Sequence, residues 1–169
     1  MKRIGSPRLS VKSISVSLFI LLLFLCTSLS YAQSPVNFSG VWIQDTTKSD
    51  DFYKNFDVKY SITQTAQTFK VTQLLAEYGS KESVTRDYSY TLDGKVTNTK
   101  KETGIEKNLA QWSPDKKTLK TRSTIAYGPQ DVGFTETYSL SDNGLVLTVL
   151  KSDIIEGGLS VKQIFNKKQ

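Results

Sequence analysis

The chain has 169 residues, with 22 basic and 16 acidic side chains, one cysteine and no histidine. The absence of histidine excludes histidine-based triads and histidine general bases, and it removes most ways to build a zinc site. We therefore expect a protein that is not an enzyme and that carries neither a metal nor a cofactor. The length suits a single domain.

The first 32 residues have the pattern of a cleavable signal peptide. A basic start without acidic residues precedes the apolar run 16–26, and the small residues Ser30 and Ala32 stand just before the predicted cleavage point. The apolar run is only about half as long as a helix that crosses a bilayer, so a membrane anchor is disfavoured. A lipid on Cys26 is a further alternative, which the bulky residue before it opposes. We predict cleavage after Ala32 and a periplasmic or secreted location.

Removal of residues 1–32 changes the charge of the chain. Four of the basic residues lie there, so residues 33–169 carry 18 basic and 16 acidic side chains, a net charge of +2 instead of +6. The pI of about 9.3 therefore comes largely from the removed segment, and we expect no nucleic-acid partner. The only cysteine is removed as well, so residues 33–169 must fold as one domain without disulfide bonds.

Alternating apolar and polar residues predict β-strands throughout residues 33–169. Turn signals such as Asp93-Gly94 and Asp142-Asn143-Gly144 recur at intervals of about ten residues, which indicates consecutive strands joined as an up-and-down meander. The only helix candidate is 49–56, which Ser49 would cap, with a loop as the alternative. The predicted strands are 38–45, 57–65, 67–76, 82–92, 95–102, 105–112, 117–127, 132–140, 145–153 and 159–166.

This pattern predicts an all-β fold, a single up-and-down antiparallel β-barrel of eight to ten strands. Closure into a barrel removes the free edges that invite aggregation. A two-sheet sandwich is the alternative. An outer-membrane barrel is disfavoured because one face of the clearest strands carries Lys, Thr, Ser and Asp instead of a lipid-facing apolar band.

A Gly-x-Trp motif stands at Gly40 and Trp42, at the start of the first predicted strand. It resembles the opening of the calycin superfamily, which includes lipocalins and fatty-acid-binding proteins. Gly40 would let the chain bend tightly, and Trp42 would plug the closed end of the barrel. The chain is similar to small exported bacterial lipocalin-like proteins, which share this opening, a Lys-Ser-Asp at 48–50 and a late hairpin at 138–149. The resemblance implies a lipocalin-like barrel.

The chain departs from the superfamily in its late basic residues. Lipocalins carry a late arginine over the tryptophan, but the only arginines in residues 33–169 are Arg86 and Arg122. Fatty-acid-binding proteins hold a carboxylate with a late Arg-x-Tyr pair, where this chain has Gln163-Ile164-Phe165. Fatty-acid binding is therefore not carried over.

The inward faces of three predicted strands supply the candidate ligand-binding residues. A buried charge is costly unless it is paired, which singles out Arg86 and Glu136. These two charges could contact a ligand in a cavity, be solvated at the barrel mouth, or pair with each other. The candidate residues are Arg86, Tyr88, Tyr90, Tyr127, Glu136 and Tyr138.

The leading functional hypothesis is a monomeric protein that binds a small apolar or amphipathic ligand inside the barrel. The alternative is a non-catalytic envelope or secreted protein that acts as an interaction partner or inhibitor through loops 46–56 and 127–132. An enzyme on the same barrel would have to use Arg86, Glu136 or a tyrosine.

Overall fold

A computed structural model describes residues 34–155 and 157–169, which contain ten β-strands. Every predicted strand is confirmed, and each strand end lies within two residues of its predicted position. The predicted signal peptide, residues 1–32, lies outside the described residues. Within the described ranges, no helix is long and apolar enough to span a membrane. The strands are β1 (Gly40–Gln44), β2 (Phe56–Gln64), β3 (Thr68–Glu77), β4 (Ser83–Thr91), β5 (Thr97–Lys101), β6 (Gly104–Trp112), β7 (Thr118–Tyr127), β8 (Gln130–Leu140), β9 (Val146–Asp153) and β10 (Ser160–Lys167).

All strand pairs are antiparallel, and the sheet order is β4-β3-β2-β1-β10-β9-β8-β7-β6-β5. Consecutive strands pair with each other except β4 and β5, and the first strand pairs with the last, so that Trp42 stands opposite Lys167. The two edge strands, β4 and β5, face each other across a gap. Side chains bridge this gap, with Thr91 and Thr97 hydroxyls 3.1 Å apart and Lys101 Nζ 3.2 Å from the Asp87 carbonyl oxygen. The predicted up-and-down antiparallel barrel is confirmed as a nearly closed barrel.

Aromatic side chains fill one end of the barrel, which we call the closed end. Trp42 is fully buried, and its indole Nε1 donates a 2.9 Å hydrogen bond to the Phe38 carbonyl oxygen. The Phe38 ring packs edge-on against Phe69 at 6.0 Å, and Phe69 does the same against Tyr138 at 5.1 Å. Because edge-to-face ring pairs add to the free energy gained by burial, this cluster supplies the barrel with a rigid base.

Lys167 lies over the indole of Trp42, with its Nζ 5.2 Å from the ring centroid. The late basic residue over the tryptophan is thus a lysine in this chain and not an arginine. A lysine can make the same cation–π contact. Gly40 makes room for it, because a Cβ at Gly40 would lie 2.9 Å from Lys167 Cε. Its φ of +145° is also one that other residues rarely adopt.

The predicted helix at 49–56 is wrong in extent, since only Asp51–Tyr53 form a short 3-10 turn. Ser49 does not cap a helix. Its Oγ donates to the Asp45 carbonyl oxygen at 2.9 Å and accepts from the Ile164 amide of β10 at 2.9 Å. The side chain of Asp50 accepts from the Lys162 amide at 2.7 Å. These bonds fasten the segment to β10 and use the polar groups that a helix N-terminus would need.

The predicted loop 127–132 is also wrong in extent. Strand β7 continues to Tyr127, β8 begins at Gln130, and these two residues are paired. Only Gly128 and Pro129 lie between the strands, and Gly128 has a φ of +62°. The connection is therefore a tight hairpin turn, because both residues favour turn conformations.

Candidate functional site

A cavity of about 370 Å³ opens at the end of the barrel opposite the aromatic base, which we call the open end. The 3-10 turn Asp51–Tyr53 and the β9–β10 connection form part of its rim. Three charged side chains reach it, namely Arg86, Lys151 and Asp153. The rest of the wall is apolar or aromatic and consists of Phe52, Tyr53, Phe56, Leu75, Phe134, Leu159 and Val161.

A buried carboxylate, Glu136, lies beneath this cavity and is only 2% exposed. Its Oε1 accepts a hydrogen bond from Lys151 Nζ at 3.1 Å and one from the Tyr60 hydroxyl at 3.3 Å. Its Oε2 accepts a hydrogen bond from the Tyr138 hydroxyl. Three donors thus compensate the charge of Glu136, as a buried carboxylate requires.

Lys151 connects the carboxylate to the cavity. Its side chain is 11% exposed and reaches the cavity wall. The Nζ stands 3.7 Å from the centroid of the Phe134 ring, within cation–π distance. The ammonium is therefore held by a carboxylate on one side and by an aromatic face on the other.

A second polar chain crosses the interior between β4, β7 and β6. The Tyr90 hydroxyl is 2.8 Å from Ser123 Oγ, which donates to Asn108 Oδ1 at 2.6 Å. All three side chains are buried. These side chains thus satisfy one another's hydrogen-bonding groups within the barrel, as buried polar groups require.

Burial, followed by the nearby charge of Glu136, raises the pKa values of several interior tyrosines. The pKa is raised well above the usual value for Tyr60 and Tyr138, and it is also raised for Tyr90. The pKa of Tyr88, which is less buried, rises to about 12, although the charge of Arg86 offsets part of the effect. The interior disfavours a phenolate both because it is dry and because Glu136 repels it.

We expect the barrel to unfold in alkali as these tyrosines ionise. Their pKa values are raised in the folded state, so their contribution to stability is complete below about pH 10 and is lost as the pH rises above that. Each of Tyr60, Tyr90 and Tyr138 should then cost about 1.4 kcal/mol per pH unit. Tyrosinate absorbance from these residues should appear together with the loss of the β-sheet circular dichroism signal. Full tyrosine ionisation with an intact sheet would contradict this expectation.

The structure brings most of the predicted site residues together, but some are buried in the interior and others lie at the mouth of the barrel. Glu136 and Tyr138 share a hydrogen bond in the interior, and the Tyr90 hydroxyl is hydrogen-bonded to Ser123. Tyr88 packs edge-on against Phe134 at 5.3 Å. Arg86 reaches the cavity from the exposed end of β4. The predicted pairing of Arg86 with Glu136 is wrong, because Arg86 lies exposed at the mouth and Glu136 pairs with Lys151 instead.

Tyr127 does not belong to the site, and its prediction as an inward residue is wrong. It is 74% exposed at the tip of the β7–β8 hairpin. The inward alternation of β7 is sound as far as Ser123, but the strand extends past the barrel wall before it reaches Tyr127. Alternation indicates on which face of a strand a side chain lies, but beyond the rim of the barrel that face is exposed to solvent.

Lys151 and Tyr60 are functional candidates that the sequence patterns do not single out. Lys151 follows the run 145–150, which is apolar except for Thr148 and in which the inward phase is ambiguous. The signal that could have identified it is the hairpin turn Asp142-Asn143-Gly144, because a short turn fixes the register of its strands. In the observed register Leu140 stands opposite Leu147, which places Lys151 opposite Glu136.

A second cavity, of about 350 Å³, lies along the gap between β4 and β5. Tyr88, Glu106 and Asn108 line it from the interior side. Glu106 Oε2 is 3.9 Å from Lys101 Nζ, while its Oε1 is buried without a hydrogen-bond partner in the described part of the chain. This gap is polar, unlike the cavity at the open end.

No protein-family model and no curated protein sequence matches the chain. Among solved structures it is similar to human cRBP IV, with 16% identity over 79% of this chain and 100% of that one, at a TM-score of 0.53. It is similar to the secretory abundant heat soluble protein 4 of Ramazzottius varieornatus, with 13% identity over 82% of this chain and 100% of that one, at a TM-score of 0.54. A fatty acid binding protein of Schistosoma mansoni in complex with arachidonic acid has 11% identity over 78% of this chain and 96% of that one, at a TM-score of 0.51.

These likenesses extend over the whole barrel and show its fold. The predicted lipocalin-like barrel fold is therefore confirmed. The Gly-x-Trp motif, the aromatic base and the cavity at the opposite end are arranged within that fold as described above.

Proposed function

We propose that this chain is an exported protein that binds a small, mostly apolar ligand in the cavity at the open end of its barrel. The observation that supports this proposal most directly is a cavity of about 370 Å³ with an apolar wall and a few converging charged groups. Small-molecule sites in proteins have volumes of about 300–1,000 Å³ and this same composition. The signal-peptide pattern of residues 1–32 supports the export part of the proposal.

The likeness to ligand-binding barrels also supports the proposal. The structure of the Schistosoma mansoni protein contains arachidonic acid, and another similar structure is named as a fatty acid transporter. In this chain the aromatic base fills the closed end, so a ligand with a mostly apolar body would occupy the apolar cavity at the open end. We therefore expect a ligand short enough to fit this part of the barrel.

The hydrogen bonding of Glu136 supports a binding role over a catalytic one. A general base must reach the proton that it removes, but both oxygens of this carboxylate are already engaged by Lys151, Tyr60 and Tyr138. Arg86 lies outside the network of Glu136 and lines the cavity at its mouth, where it can contact a ligand. We accordingly propose no catalytic residue.

Titration with the neutral fluorophore phenylnaphthylamine tests the proposed site. Leu159 lines the cavity and is 45% exposed, so Leu159→Asp places a charge in the wall and should weaken probe binding by about tenfold. Leu145 is equally exposed but lies in the β8–β9 turn at the closed end. Leu145→Asp is the matched control and should leave the affinity unchanged. Absence of probe binding, or equal effects of the two variants, would refute the site.

An interaction or inhibitor role is the second candidate. It is favoured by exposed aromatic side chains at the open end, namely Phe52 and Tyr78 on two connections and Tyr127 at the end of β7. Exposed aromatic residues are frequent in protein interfaces. Pull-down from envelope extract with a Phe52→Ser, Tyr78→Ser variant as the control tests it, since a specific partner should be lost with these rings.

A further inference from the structure

Two aromatic side chains meet across the interior of the barrel, Tyr88 of β4 and Phe134 of β8. Their rings pack edge-on at 5.3 Å, although the two strands are not neighbours in the sheet. We infer that this pair determines the length of the ligand, because it stops an elongated apolar molecule at the inner limit of the cavity at the open end. This inference deepens the proposed function and rests on it.

Phe134 stands between two cavities. It belongs to the wall of the cavity at the open end, and it also lines a third cavity, of about 160 Å³. The cavity at the open end otherwise lies against the 3-10 turn, β3, β9 and β10, whereas the third cavity lies against β6, β7 and the start of β8. The ring of Phe134 therefore acts as a partition between the two spaces.

Tyr88 continues this partition on the side of β4. It lines the third cavity and also the second one, along the gap between β4 and β5. Beyond the partition, Ile125 and Val132 are paired between β7 and β8 and give the third cavity an apolar side, while Glu106 of β6 lies elsewhere in its wall. An alkyl chain that passed Phe134 would therefore find apolar surface to cover.

The Phe134 ring is held in this position from two directions. Lys151 Nζ lies 3.7 Å from its centroid, and Glu136 Oε1 fixes that ammonium at 3.1 Å. Tyr88 contacts the same ring edge-on. Cation–π and edge-to-face contacts each favour one orientation of a ring. A chain that displaced the ring would lose both contacts, whereas each methylene buried beyond it returns only about fourfold in affinity.

Competition with bound phenylnaphthylamine by the n-alkanols from hexanol to dodecanol tests the inference. These ligands share one hydroxyl and differ only in chain length. In the unaltered protein we expect the affinity to rise about fourfold with each methylene. It should stop rising before dodecanol, because the cavity of about 370 Å³ ends at Phe134. A rise that continues through dodecanol would overturn the inference.

Phe134→Ala removes the partition and should let the longer alcohols extend into the third cavity. The ratio of the dodecanol affinity to the hexanol affinity should rise at least about tenfold. This ratio cancels any general loss of affinity that the missing ring causes. Phe52→Ala is the matched control, because Phe52 is 55% exposed at the rim of the cavity and does not line the third cavity. It should weaken all the alcohols alike and leave the ratio unchanged.

Refilling the third cavity provides an independent check. Val132 lines this cavity, so Val132→Phe alone should leave the ratio unchanged, because no ligand passes Phe134 in its presence. In the Phe134→Ala protein, Val132→Phe should cancel the increase in the ratio. Circular dichroism would establish that each variant is folded. The chain-length profile of the unaltered protein decides the inference even if Phe134→Ala does not fold.

An unchanged ratio in folded Phe134→Ala would overturn the assignment of Phe134 as the partition. The same conclusion would follow from an equal increase in Phe52→Ala, or from a ratio that stays high in the double variant. Failure of every alcohol to displace bound phenylnaphthylamine would overturn the inference and leave the proposed function standing. Failure of phenylnaphthylamine itself to bind would instead refute the proposed function and the inference with it.

Discussion

Replacement of Lys151 by methionine is expected to destabilise the protein by about 3–5 kcal/mol, because it leaves a buried carboxylate without its cation. Methionine has a similar length and apolar character, so the loss reflects the charge and not a cavity. Glu136 would retain only the hydroxyls of Tyr60 and Tyr138. Neutral hydroxyl donors compensate a buried charge less well than an ammonium does.

Urea denaturation followed by circular dichroism would measure this loss in the free energy of unfolding. Lys120→Met is the matched control, since Lys120 is exposed on β7, and it should change the free energy by less than about 0.5 kcal/mol. The double variant Lys151→Met, Glu136→Gln should be more stable than Lys151→Met alone, because it removes the unpaired charge. Equal stabilities of Lys151→Met and Lys120→Met would show that the pair contributes nothing.

Gly133→Ala is expected to destabilise the protein by about 3 kcal/mol or more. Gly133 stands opposite Thr124 in the β7–β8 pair with a φ of +153°. A Cβ there would overlap the carbonyl oxygen of Ser123 and lie 2.9 Å from the Cα of Thr124. The obstacle is backbone, which cannot rotate away as a side chain does.

Gly144→Ala is the control for this substitution. Gly144 also has a positive φ, +68°, but a Cβ there would meet nothing within 4 Å. Its loss should therefore be limited to about 1 kcal/mol of backbone strain. Thermal or urea unfolding of the two variants would separate the free-energy cost of steric overlap at Gly133 from the cost of backbone strain at a positive φ. Equal losses would contradict the close approach of β7 and β8 at Gly133.

The sequence was sufficient to predict the strands because their turns are chemically distinct. Asp93-Gly94 and Asp142-Asn143-Gly144 interrupt the alternating pattern where the structure has turns, and the inward phase of β8 correctly placed Glu136 and Tyr138 inside. Short turns bring consecutive strands into pairs, except at Asp93-Gly94, where β4 and β5 remain unpaired edges. These local signals determine most of the barrel.

The charge network was less accessible from the sequence because it depends on register and depth. Alternation shows that Glu136 faces inward, but only the register of β8 on β9 shows that Lys151 is its partner. Arg86 and Tyr127 share an inward phase with core residues, but both are exposed because they lie near or beyond the rim of the barrel. A sequence pattern carries no measure of how far the wall extends above a residue.

The pairing of β1 with β10 has a consequence for the order in which the barrel forms. Every other strand pair joins neighbours along the chain, whereas this one brings Trp42 opposite Lys167. Local hairpins form quickly, but contacts between distant residues are slow because a long loop must first be closed. The sheets β1–β4 and β5–β9 therefore cannot join until β10 is in place, because β10 pairs with both β1 and β9. A truncation that removes β10 should leave β1 unpaired on that side, with Trp42 exposed.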